Sequence, residues 1–185
     1  EDTAKFRLVA CPHGYHTQNV SHDTQVCHKC LDNQYIIDPD TDECVKCPLG
    51  LNCRGDNVIV KEVANSTWLA DNGIYKLQTC PTGYHKISKT GEWELQKCDA
   101  CAEGMECTLD VCDECTQCAI GTYKEIAGTM PCRQCPVNTY NPTPNSKTQL
   151  NCQACPSGAT TLDVGSTKLA DCRCQQQFYS ALPQD

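Results

Sequence analysis

Residues 118–158 read CAIGTYKEIAGTMPCRQCPVNTYNPTPNSKTQLNCQACPSG. One figure opens three times in this stretch, at Cys118, Cys135 and Cys155: a cysteine, two residues, then Gly or Asn. After each of the first two openings, the chain reaches a Cys-x-x-Cys pair fourteen to seventeen positions later. Working outward, such pairs recur at Cys27/Cys30, Cys44/Cys47, Cys98/Cys101, Cys115/Cys118, Cys132/Cys135 and Cys152/Cys155. CPHGYH at Cys11–His16 returns as CPTGYH at Cys80–His85. Self-similarity of this kind marks a tandem array of one small unit. The figure Cys-Pro-x-Gly suits a tight turn in which Pro fixes the first central residue and Gly takes the unusual backbone angle at the end. A short hairpin is expected after it. Tyr15, Tyr35, Tyr84, Tyr123 and Tyr140 fall four or five residues after an opening cysteine, where a ring would cover a disulfide.

Composition points the same way. Nineteen cysteines in 185 residues place the chain among disulfide-dense proteins of an oxidising compartment. Leu, Ile, Val and Phe together number only 31, too few for a conventional core in so acidic a chain. Covalent cross-links therefore stand in for burial, each loop of about 15 residues contributing roughly 3 kcal/mol in the chain-entropy account. The expected fold class is small and disulfide-rich: an elongated tandem array of short β-hairpin modules, with little helix and no large core. A net charge of −8 argues against nucleic acid or an anionic membrane as partner. No apolar run is long enough to enter a bilayer, and EDTAKFRLVAC lacks a signal peptide's apolar centre, so a leader is expected outside this segment. Two sequons, Asn19-Val20-Ser21 and Asn65-Ser66-Thr67, make Asn19 and Asn65 the candidate glycosylation sites.

Residues 54–79 interrupt the array with a cysteine-free stretch, NVIVKEV then STWLADNGIYKL, read as a β-hairpin about Asn72-Gly73. Trp68 and Tyr75 flank that turn and are expected to cluster. The organisation is then cysteine-rich repeats over 1–53, the hairpin insert over 54–79, a further repeat over 80–111, and repeats over 112–185, the last incomplete.

From Cys115 to Cys174 the text resembles the ephrin-receptor-like cysteine-rich repeat, whose pattern runs Cys-x-x-Cys-Pro-x-Gly-Thr-Tyr, then Gly-Ser-Thr, then Cys. That repeat is related to the cysteine-rich modules of growth-factor receptors and tumour necrosis factor receptors. The resemblance implies stacked small β units and pairs Cys118 with Cys132, Cys135 with Cys152, and Cys155 with Cys172. Extended along the repeats, it pairs Cys11 with Cys27, Cys30 with Cys44, and Cys80 with Cys98, while Cys47 and Cys53 make a local pair. The sequence departs from the pattern at Asn138, where Gly is usual, and at Cys101-Ala102, where Pro is usual. Cys101, Cys107, Cys112 and Cys115 admit three connectivities. Cys174 is left over, at the head of CQQQFYS, which resembles the start of another repeat whose cysteine partner lies past Asp185.

Other chemistries have weaker footing. His13 and His16 with Cys27 and Cys30, or the run Cys112, Cys115 and Cys118, have zinc-ligand spacing, but an oxidising compartment favours disulfides over thiolates. Asp38, Asp40, Asp42 and Glu43 gather four carboxylates in what reads as a solvated acidic turn rather than a calcium loop. Arg54-Gly55-Asp56 spells an integrin-type tripeptide. No catalytic constellation, metal or cofactor is expected. The function class is an extracellular, rod-like spacer and interaction module of a cell-surface receptor or adhesion protein, with residues 54–79 as its variable epitope. Its partners are proteins or glycans, copies of itself included. The alternative is a structural subunit of an extracellular matrix or surface filament.

Overall fold

A computed structural model describes residues 8–21, 24–55 and 58–175. Its strands come in hairpins, each a separate two-stranded sheet. In chain order they are β1 (Tyr15–Ser21) with β2 (Thr24–Lys29), β3 (Gln34–Tyr35) with β4 (Val45–Lys46), and β5 (Leu51–Cys53) with β6 (Ile59–Lys61). Next are β7 (Thr67–Asp71) with β8 (Ile74–Thr79), β9 (Tyr84–Ile87) with β10 (Lys97–Ala100), and β11 (Met105–Glu106) with β12 (Thr116–Gln117). The last are β13 (Thr122–Tyr123) with β14 (Arg133–Gln134), β15 (Thr139–Tyr140) with β16 (Gln153–Ala154), and β17 (Ala159–Thr160) with β18 (Arg173–Cys174). Helix among the described residues is limited to single 3-10 turns at Trp93–Leu95, Gln149–Asn151 and Leu169–Asp171. None is long and apolar enough to cross a membrane.

The turn that starts each module differs by one position from the sequence reading. Tyr15 N–H donates to Pro12 O at 3.1 Å, so Pro12 is the first residue of the turn and Gly14 the second central one. The same bond runs from Tyr84 to Pro81, Met105 to Ala102, Thr122 to Ala119, Thr139 to Pro136 and Ala159 to Pro156. The residue just before the donor of each closing bond is positive in φ, at Gly14, Gly83, Gly104, Gly121, Asn138 and Gly158, as a type II turn requires. Proline's fixed φ is therefore not what shapes the turn, and Ala102 and Ala119 serve in its place. Asn138 holds φ 71, because Asn tolerates the left-handed region better than other side chains.

Four of the six Cys-x-x-Cys pairs bracket a two-residue return strand, as Cys132 and Cys135 bracket Arg133–Gln134, while Cys27 and Cys98 lie within longer ones. Cysteines three apart on extended chain point to opposite faces, so one bonds back across its own loop and the other forward into the next. This is why the disulfides run in series.

The described chain divides into two compact units, one within residues 8–80 and 86–99, the other within 81–85 and 100–175. In the first, Tyr35, Cys47, Leu51 and Cys53 form a small buried cluster onto which Ile59, Trp68, Tyr75 and Trp93 pack. The Asn72-Gly73 turn has φ of 49 and 75, a two-residue type I′ hairpin turn that matches strand twist. β6 pairs with Leu51–Cys53, so the cysteine-free stretch does not stand apart from the chain before it. In the second unit, Cys101, Cys107 and Cys112 form the buried cluster, with Met105 and Cys115 against it.

Candidate functional site

The second unit has too few apolar side chains to hold its modules together by burial, and its backbone does so instead. Gly104 N–H donates to Lys124 O at 3.0 Å, Gly121 N–H to Asn141 O at 2.7 Å, and Asn138 N–H to Thr161 Oγ1 at 3.1 Å. In the other direction, Gly128, Asn145 and Gly165 donate to the carbonyls of Cys101, Cys118 and Cys135 at 2.8–2.9 Å. Each turn residue thus donates to the module after it, and each opening cysteine accepts from that same module. The fit is close: a Cβ added at Gly121 would run into the carbonyl of Gly165, and one at Gly104 into Asn145.

Three buried polar residues, Lys124, Asn141 and Thr161, occupy one place in successive modules, the third residue after the turn glycine or asparagine. They are 5%, 0% and 2% exposed. Asn141 Nδ2 donates to Thr122 O and Ser146 Oγ, at 3.1 and 2.8 Å. Lys124 reaches farthest. Its ammonium donates to the carbonyls of Gly128 (2.6 Å), Met105 (2.9 Å) and Cys101 (3.3 Å), which satisfies all three of its protons. Burial holds its pKa below the ordinary lysine value, and the Glu106 carboxylate opposes that shift. Glu106 itself accepts from Cys132 N–H at 2.7 Å. Sequence reasoning missed these residues because their chemical types differ. Their constant distance from the turn was the available signal.

Beside Lys124 lies a cleft of about 220 Å³ lined by Tyr123, Ile126, Ala127, Met130, Pro131 and Arg133 among others. Ile126 and Met130 stand at its edge 78% and 69% exposed. The cleft surface is mostly apolar, with Lys124, Glu125 and Arg133 also in its lining.

The cysteines are placed as follows. Cys11 bonds to Cys27, Cys30 to Cys44, Cys47 to Cys53 and Cys80 to Cys98. Cys118 bonds to Cys132, Cys135 to Cys152 and Cys155 to Cys172. Of the three connectivities open for the remaining four, the structure takes the nested one, Cys101 to Cys115 around Cys107 to Cys112. Cys174 is unpaired and exposed. Its register is one short: Gln175 N–H donates to Gly158 O, as Cys135 donates to Gly121 and Cys155 to Asn138. Residues 176–185 lie outside the described chain.

The histidine and cysteine sets with zinc spacing have their sulfurs in disulfides. His85 sits 3.3 Å from Cys115 Sγ and near Cys101, but those two sulfurs are bonded to each other and offer no thiolate. In the acidic turn, Asp38 and Asp42 accept backbone N–H groups of the turn itself, at 3.0 Å from Asp40 and Asp38. Gly55 of the tripeptide is buried, donates to Gln34 O at 3.1 Å, and has its α-carbon against Cys30, while Asp56 lies outside the described residues. Trp68 and Tyr75 are turned inward. Trp68 Nε1 donates to Ser66 Oγ at 3.0 Å, and the Tyr75 ring packs 5.0 Å from Tyr35, whose hydroxyl accepts Tyr75 N–H. Burial raises the Tyr35 pKa above the usual phenol value.

The geometry agrees with what comparison finds. No curated protein matches the chain. Residues 110–149 and, overlapping them, 126–172 match the family described as tyrosine-protein kinase ephrin type A/B receptor-like. The match spans about a third of the chain, all of it within the second unit. Over residues 110–172, the chain is similar to the ephrin-receptor-like cysteine-rich repeat.

Proposed function

We propose that the chain is a non-catalytic extracellular interaction segment of a receptor or adhesion protein, with the loop 125–131 of the second unit as its contact surface. Ephrin-receptor-like repeats are extracellular receptor-type modules, and a chain cross-linked at nine places belongs in an oxidising compartment. The observation that carries the reading is that Ile126 and Met130, two of the many large apolar residues this chain leaves exposed, stand together beside an apolar cleft. Residues 54–79 fit the role less well, because their aromatic side chains are committed to packing. The partner is a protein surface that inserts an apolar side chain into the cleft. The chain's net charge of −8 favours a partner of opposite sign.

The test is saturable binding of the secreted, oxidised chain to intact cells, compared with a variant carrying Ile126→Glu and Met130→Glu. The reading requires at least a tenfold loss of binding in the variant, with its disulfides unchanged. Equal binding overturns the assignment of the surface. Concentration-dependent assembly of the chain alone into large particles, seen by sedimentation, would favour the matrix or filament alternative.

A further inference from the structure

Asn65 differs from the other polar surface residues in what surrounds it covalently. The cysteines on either side of its stretch bond away from it, Cys53 to Cys47 and Cys80 to Cys98, so no disulfide closes across residues 54–79. The chain turns there at Val63–Ser66, where Ser66 N–H and Ser66 Oγ both donate to Val63 O, at 3.0 and 2.7 Å. This puts Asn65 in the third place of the turn. It is exposed, and its side-chain amide makes no hydrogen bond among the described residues. Thr67, two positions on, carries an exposed hydroxyl at the head of β7, within 2.6 Å of Thr79 Oγ1.

Asn-x-Thr on an accessible turn of a secreted chain is the acceptor pattern for N-linked glycan. Asn19, the other sequon asparagine, is placed differently. It lies in β1 opposite Gln25, accepts from Gln25 Nε2 at 2.9 Å, and sits inside the loop closed by Cys11 and Cys27. We propose that Asn65 is an N-glycosylation site. Its Nδ2 takes an oligosaccharide from a lipid-linked pyrophosphate donor. The new C–N bond forms at the sugar's anomeric carbon, the C–O bond to the pyrophosphate breaks, and one amide proton is lost. Because Asn65 projects from a turn that neither strand pairing nor a disulfide encloses, folding before or after transfer leaves it reachable.

The proposal rests on the secretory reading of the chain, and the experiment separates the two. Residues 1–185 are expressed behind a secretory leader in eukaryotic cells, and the medium is treated with peptide N-glycosidase in heavy-oxygen water. Non-reduced peptide mapping then scores both the disulfides and the conversion of Asn65 to labelled aspartate. The expected result is labelled aspartate at that position in most secreted, fully bridged molecules. Asn65→Gln should abolish that glycan, while Asn19→Gln should leave it in place. Secreted, fully bridged protein with unmodified Asn65 overturns the site and leaves the compartment reading standing. Chain retained in the cell without its disulfides overturns both.

Discussion

Gly121 shows what a single residue does in a fold held by backbone contact. Its φ of 80 and its approach to Gly165 exclude any side chain, for two separate reasons. Gly128, in the same module, has ordinary φ and open space around its α-carbon. Gly121→Ala is therefore expected to cost about 2–4 kcal/mol, left-handed strain plus overpacking. Gly128→Ala should be neutral or stabilise by up to about 1 kcal/mol through its effect on the unfolded chain. Urea unfolding with disulfides intact, followed by tyrosine fluorescence, measures both. Equal midpoints would refute the close joint.

At the scale of elements, hairpins with two-residue strands are too short to persist alone, and three or more strands or outside packing are ordinarily needed. The joint between successive hairpins supplies that packing through polar groups, with Lys124 at one of its centres. Lys124→Met would take a donor from the carbonyls of Cys101, Met105 and Gly128, of which Cys101 keeps its bond from Gly128 N–H, at a cost of about 2–3 kcal/mol. Hydrogen exchange should then quicken at the Gly104 and Gly128 amides, both of which bond across the same joint. Lys147→Met at an exposed position should change stability by less than about 0.5 kcal/mol. If Lys124→Met behaves like it, the ammonium is not a keystone.

At the scale of the whole molecule, small clusters of buried side chains such as those around Tyr35 and Cys101 share the work of stabilisation with nine disulfides. The clusters are themselves largely cysteine, so reduction removes cross-links and core together. Reduced and carboxymethylated chain is expected to lose its strand signal in circular dichroism and nearly all amide protection at 25 °C. Retention of native protection would mean that the backbone joints suffice without the cross-links.

The sequence by itself determined the repeating unit, its hairpins and the covalent character of the fold, because Cys-x-x-Cys spacing and turn residues act over a few positions. The Asn72-Gly73 hairpin was legible for that reason, whereas Asn138 read only as a departure from the glycine pattern until its φ of 71 showed it in the same turn position. Tertiary structure alone decided the nested bonds of Cys101, Cys107, Cys112 and Cys115, since all three connectivities fit the spacing. It also decided that Pro12 and its equivalents begin the turn rather than occupy its centre, that Gly55 faces inward, and that Gln175 rather than Cys174 continues the repeat. Lys124, Asn141 and Thr161 were invisible for a related reason. What makes them equivalent is a shared place against the neighbouring module's carbonyl and amide groups, and the sequence records residue types, not which backbone groups stand opposite them once modules stack.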